Sequence, residues 1–215
     1  MIVLSTAQAA AEKIRLDCIA DAPMYGHSQE KEVNWGAASS MRIKDYQGIA
    51  FMQFDFDAIR GKRVVSCSLF VTSRSGQSAF CTDLISTIAV PWYEGTGNGN
   101  AENGSSTYTH RVWPDSLWSG AGSDARSVVN GDSTSLVNSL NICFAEGGSR
   151  ASVVIDTELA QQLIDNRAFG LALFGKSATI NRDIYSREQT SSAPYLEIEV
   201  IDGESVSPET VADLA

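Results

Sequence analysis

Apolar residues in this chain fall in short runs, rich in β-branched and aromatic side chains and bounded by Gly, Ser, Asn and Asp, which is the pattern of strands and turns. Nine runs predict strands, near residues 14–20, 40–44, 49–56, 64–72, 84–90, 151–155, 170–174, 182–186 and 195–201. In the last, Leu196, Ile198 and Val200 alternate with Tyr195, Glu197 and Glu199, so one face is expected in the core and the other in water. The run 49–56 is apolar almost throughout, as expected of a strand covered on both sides. One segment reads as helix, where Asp156 or Thr157 can cap residues 158–164 and set Leu159 and Leu163 on one face. A second short helical turn is a candidate at 136–140.

These elements predict an all-β fold, a jelly-roll β-sandwich of about nine strands with one short helix, in a single domain over residues 12–201. Between Trp92 and Asp132 the chain turns to Gly, Asn and Ser with little periodicity. Loops of that length inside a compact domain are usually functional or held by something specific. Residues 1–11 are expected to be an N-terminal arm or a signal-peptide remnant, with Ala7 and Ala9 in an A-x-A arrangement. Residues 202–215 are small, polar and acidic, and predict a flexible tail.

Composition narrows the partners. The formal net charge of -10 repels nucleic-acid phosphates and anionic headgroups, so neither is expected as a ligand. No run approaches the ~20 apolar residues that span a bilayer, so membrane insertion is not expected. Four cysteines without C-x-x-C spacing disfavour structural zinc and leave disulfides or buried thiols. Cys67 and Cys81 lie symmetrically about Arg74; if 73–78 turns a hairpin they face each other, leaving Cys18 with Cys143 by elimination. Free core cysteines are the alternative. Disulfides would place the protein outside the reducing cytosol, secreted or at a cell surface.

The order of the motifs carries a resemblance. Asn34-Trp35-Gly36 is followed by Phe51-Met-Gln-Phe-Asp-Phe56, Val64-Val-Ser-Cys-Ser-Leu-Phe-Val71 and Trp92-Tyr-Glu-Gly-Thr-Gly-Asn98. Then come Val154-Ile-Asp-Thr157, Phe169-Gly-Leu-Ala-Leu173, Tyr185-Ser-Arg-Glu188 and Ala193-Pro-Tyr-Leu196. Collinear over almost the whole chain, this resembles the DNRLRE domain family, related to carbohydrate-binding modules beside polysaccharide lyases and to disaggregatase-like proteins. The resemblance implies a jelly roll in extracellular proteins that binds polysaccharide, in some members an acidic one.

Candidate site residues follow from chemistry. Aromatic rings carry sugars, because the apolar face of a pyranose packs on them while its hydroxyls seek polar neighbours. Trp35, Trp92, Tyr93, Trp113 and Trp118 are the available rings, Trp92 being expected in the core. Trp113 and Trp118, with Tyr108 and His110 upstream, are the candidate ligand-binding residues, with pinning of the loop the favoured role and a sugar platform the alternative. Arg187 is expected either in an internal salt bridge or on a uronate carboxylate. Asp55 and Asp156, set in apolar runs, would need charged partners if buried. The oxygens of Glu94, Asn98, Asn100, Glu102 and Asn103, interleaved with glycines, could gather round a structural calcium, against a plain glycine-rich turn.

Three functions remain open. The first is a non-catalytic extracellular carbohydrate-binding or adhesion module. The second is a structural subunit of an extracellular filament, sheath or surface layer, whose N-terminal arm would add a strand to a neighbouring copy. The third is a polysaccharide lyase in which Tyr108 and His110, two apart on an extended chain, serve as acid and base. No Gly-x-Ser-x-Gly elbow or His-Glu-x-x-His zinc motif occurs to suggest another enzyme.

Overall fold

The structure, a computed structural model, describes residues 10–129, 135–175 and 181–203. Nine of the strands are the expected ones: β1 (Glu12–Tyr25), β2 (Ser40–Ile43), β3 (Gly48–Phe54), β4 (Arg63–Thr72), β5 (Phe80–Thr87), β9 (Arg150–Ile155), β10 (Leu171–Phe174), β11 (Arg182–Tyr185) and β12 (Tyr195–Ile201). Three more were not anticipated: β6 (His110–Val112), β7 (Ser116–Leu117) and β8 (Val137–Phe144). The turn expected at 136–140 is therefore corrected to strand; β8 pairs with β5, and its alternating burial follows the pleat. The helix α1 (Thr157–Ile164) forms as expected, with the Asp156 carboxylate accepting from the Glu158 N–H at 2.8 Å.

Eight strands hydrogen-bond into one antiparallel ribbon in the order β8, β5, β10, β3, β1, β12, β4, β9. The ribbon folds over at β1. Residues 12–17 of β1 pair with β12, whereas Cys18 and residues 20–25 pair with β3, and a bulge between Cys18 and Ala20 separates the two registers. A bulge bends its strand and raises the local twist, which lets one strand serve two sheets. The result is a sandwich of two layers, one formed by β12, β4, β9 and the first half of β1, the other by β3, β10, β5, β8 and its second half. Burial along β1 records the switch, alternating at first and continuous from Asp21 to Tyr25.

The main core lies between the layers, where Met52, Phe54, Leu171, Leu173, Ile85 and Phe144 meet Leu69, Val71, Leu196, Ile198, Val200 and Ile155. Leu159, Leu163 and Ile164 of α1 join this cluster. A second cluster covers the outer face of the β3 layer. There Ala22, Ile49, Phe51, Leu84, Ala172 and Phe174 are roofed by Trp92, Tyr108, Trp118, Ala125, Val128 and Val129 from the long excursion. β3 thus contributes to both clusters, which accounts for its apolar run. Among the described residues nothing roofs the outer face of the β4 layer, which accounts for the half-exposed Glu197 and Glu199 between the buried Leu196, Ile198 and Val200 of β12.

The cysteine pairing differs from expectation. Cys81 is bonded to Cys143, directly opposite it on β8 with Cα atoms 4.1 Å apart, while Cys18 and Cys67 are free buried thiols. A hairpin through 73–78 would require β4 to pair with β5. Both edges of β4 are occupied, by β12 and β9, so this segment instead carries the chain from one layer to the other. Asp55 and Asp156 are also not buried charges. Both are exposed, Asp55 accepting from the Asp57 N–H at 2.9 Å at the start of a 3-10 turn and Asp156 capping α1. Most of the arm, residues 1–9, and most of the tail, 204–215, lie outside the described residues. Among the described residues no helix is long and apolar enough to cross a membrane.

Candidate functional site

The excursion that roofs the β3 layer is held by polar groups of its own. Asn34 is buried, its amide donating to the carbonyls of Glu94 (2.6 Å) and Ser106 (3.0 Å) and accepting from the N–H groups of Gly36 (3.0 Å) and Gly97 (2.8 Å). All four bonding positions of one side chain are used, so the glycine-rich turn is ordered by Asn34. Gly36 must be glycine here, since a Cβ would strike the Glu94 carbonyl oxygen. The oxygens expected around a calcium ion are dispersed among other tasks. Glu102 accepts from the N–H (2.7 Å) and hydroxyl (3.0 Å) of Thr96, Asn100 accepts from the Asn98 N–H (3.0 Å), and Asn103 is exposed. Glu94 turns away toward Arg187.

The expected ligand-binding aromatics are mostly structural. Trp118 is 4% exposed, and its indole N–H donates to the carbonyls of Thr107 (3.1 Å) and Tyr108 (3.0 Å). Tyr108 is 7% exposed and its hydroxyl donates to the Tyr46 carbonyl at 2.8 Å. Both pin the roof. Burial pushes the Tyr108 phenol up to about 12, and the His110 ring bonds to the Thr109 hydroxyl at 2.9 Å. The phenol and the imidazole thus have separate hydrogen-bond partners. Trp113 is half-buried, while Tyr93 stands exposed at the start of the excursion.

Arg187 is in an internal salt bridge. Its guanidinium grips both Glu94 oxygens, at 2.6 and 2.7 Å, in the bidentate geometry that suits Arg and carboxylate. Glu94 also accepts from the Asp21 N–H at 2.6 Å, and the Arg187 N–H donates to Asp21 Oδ2 at 2.7 Å. Asp21 was not anticipated as a site residue. It is fully buried just beyond the bulge of β1, where the chain changes layers. Two carboxylate oxygens in this centre, Asp21 Oδ1 and Glu188 Oε2, are buried with no hydrogen-bond partner.

Burial is the main cause that pushes the Asp21 carboxyl up to about 8, with Glu188 and Glu94 adding to it against the Arg187 N–H bond. The ordinary unfolded value is about 3.9. A folded value above the unfolded one means that folding favours the protonated form, so this group's contribution is full below the lower value and declines as pH rises through the upper one. In chelator-containing buffer the Asp21→Asn protein is therefore expected to lose less stability than the native chain between about pH 4 and pH 8. Denaturant titrations across that window check it, and equal slopes for the two proteins contradict it.

The open outer face of the β4 layer carries a second unanticipated group. In one row across the sheet, Asp17 of β1 lies beside Tyr195 of β12, Phe70 of β4 and Ser152 of β9. The Tyr195 and Phe70 rings are stacked 4.5 Å apart at 4°. The Arg15 guanidinium lies 3.8 Å over the Tyr195 ring, and that of Arg150 lies 5.5 Å from it. In the next row Arg15, Glu197, Ser68 and Val154 lie side by side, Val154 being 70% exposed. Asp17 holds Arg15, while Thr72 and the Ser191 carbonyl hold Arg150. The surface offers the half-buried Phe70 ring, an exposed aliphatic group, hydroxyls and two placed guanidinium groups, while Tyr195 beneath Arg15 is only 7% exposed. No family model and no curated protein matches this chain.

Proposed function

We propose that this chain is a non-catalytic, extracellular carbohydrate-binding module that holds a polysaccharide on the open outer face of the β4 layer. The observation that carries the reading is the asymmetry of the sandwich: one outer face is roofed by tryptophan and tyrosine, while the other is uncovered by any described residue and bears Arg15, Phe70 and Arg150 around the Tyr195 ring. Guanidinium groups donate to sugar hydroxyls or carboxylates, and the Phe70 edge and Val154 meet apolar C–H surfaces. The Cys81–Cys143 disulfide suits an oxidising compartment, which supports an extracellular location. The motif order that resembles the DNRLRE family leans the same way, although a fold by itself does not fix a function.

Polysaccharide affinity gels and a glycan array test the reading. The native protein is expected to be retained by at least one polysaccharide. A hydrogen bond to a charged donor contributes about 1.5–3 kcal/mol, so Arg15→Ala and Arg150→Ala are each expected to weaken binding by roughly tenfold or more. Tyr93→Ala and Trp113→Ala, on the excursion, are expected to bind normally. Retention by no polysaccharide, or loss of binding only in the excursion variants, overturns the proposal.

A further inference from the structure

We propose that Asp21, Glu94 and Glu188 form a binding site for one hard divalent cation, Ca2+ before Mg2+, at the point where β1 passes between the layers. One oxygen from each of these three carboxylates lies within 4.8 Å of the others. Acidic groups cluster on many proteins without binding anything. Here a second observation points to a ligand: Asp21 is 0% exposed, and among the described residues its Oδ1 has no hydrogen-bond partner. Glu188 Oε2 is likewise buried and unpartnered, its other oxygen lying 3.7 Å from Arg187. A buried carboxylate oxygen left without a donor is costly, and a cation between the two satisfies both.

The charges suit such an ion. With Asp21 ionised, three carboxylates and the Arg187 guanidinium sum to two negative charges, which a divalent cation balances. Arg187 does not fill the site. It is committed to Glu94, and it leaves free the oxygens of Asp21 and Glu188 that have no partner. The donors are oxygens and include no imidazole, which selects a hard cation over zinc or copper. Calcium tolerates irregular cages of 6–8 oxygens completed by water and backbone carbonyls, whereas magnesium demands a near-octahedral set.

Bound there, the ion ties together three distant segments: β1 beyond its bulge, the start of the excursion at Glu94, and the Ser186-Arg187-Glu188 segment after β11. This position lies outside the glycine-rich turn, which Asn34 already orders.

The test is calorimetric titration of Ca2+, and separately of Mg2+, into the chelator-stripped full chain at neutral pH, with thermal melting beside it. One Ca2+ per chain is expected. If the dissociation constant is about 10 μM, 1 mM Ca2+ raises Tm by roughly 5–10 °C. Asp21→Asn mimics the protonated carboxyl and is expected to fold. Glu188→Gln provides a second probe of the same site. Each is expected to bind at least tenfold more weakly and to lose the rise in Tm, whereas Glu102→Gln, in the glycine-rich turn, keeps both. Absence of binding heat together with an unchanged Tm overturns the proposal. Native-like affinity in both Asp21→Asn and Glu188→Gln also overturns it, since the ion then sits elsewhere.

Discussion

Replacing Phe51 by alanine is expected to cost about 4 kcal/mol, in the upper range for emptying a buried aromatic site. Phe51 is fully buried on β3, and its ring makes edge contacts with both Trp92 (5.6 Å) and Trp118 (5.7 Å). These indoles come from well-separated parts of the excursion, its start and its middle, so one ring anchors the roof at two places. A loss of that size lowers Tm by about 10 °C in a chain of this length. Tryptophan fluorescence is expected to shift as the indoles lose their packing partner. Denaturant unfolding with both readouts checks the result. A cost below about 1 kcal/mol, the range of ordinary surface changes, would mean that the excursion is draped over the sheet and not packed on it.

Removing the Cys81–Cys143 bond by a double change to serine is expected to cost about 4 kcal/mol, because the bond closes a loop over 62 positions of sequence and restricts the unfolded chain. Both cysteines are exposed on paired strands, so a thiol reductant reaches them. Reductant is therefore expected to lower the unfolding midpoint of the native protein to near that of the double variant, and to leave the variant unchanged. Cys18 and Cys67 contribute nothing to this response, since they are buried thiols whose pKa burial raises. A native midpoint indifferent to reductant contradicts the pairing.

What could be read from the chain follows from how local each signal is. The alternation of Leu196, Ile198 and Val200 identifies β12 and its wet face without reference to any other segment, and the Asp156 cap marks the start of α1 in the same way. Pairing between strands is not local. The symmetry of Cys67 and Cys81 about Arg74 suggested a hairpin, but the choice depends on β12 and β9 occupying both edges of β4, and those strands lie far along the chain. β8 escaped notice because Ser139, Asn138 and Asn141 dilute its alternation, although the pleat still sets Ile142 and Phe144 into the core.

The site residues divide along the same line. Trp118 and Tyr108 sit in a polar stretch and looked available for ligand; what buries them is the outer face of the β3 layer, whose need for a cover no single segment declares. Glu94 and Arg187 were both picked out, yet for different tasks, and their union with Asp21 depends on the bulge in β1. The available signal for Asp21 was an acidic residue directly before the apolar Ala22-Pro-Met24. Tyr195 was placed on the wet face of its strand; its stack with Phe70 under Arg15 depends on the register of three strands.

The most direct test of the central claim, that the bare face of the β4 layer binds the polysaccharide, is an NMR titration of the labelled protein with an oligosaccharide cut from the polymer that retains it. Shift changes are expected to concentrate on Arg15, Ser68, Phe70, Arg150, Ser152, Val154 and Tyr195, with Tyr93, Trp113 and the rest of the excursion unmoved. Changes centred on the excursion, with the β4 layer silent, contradict the account.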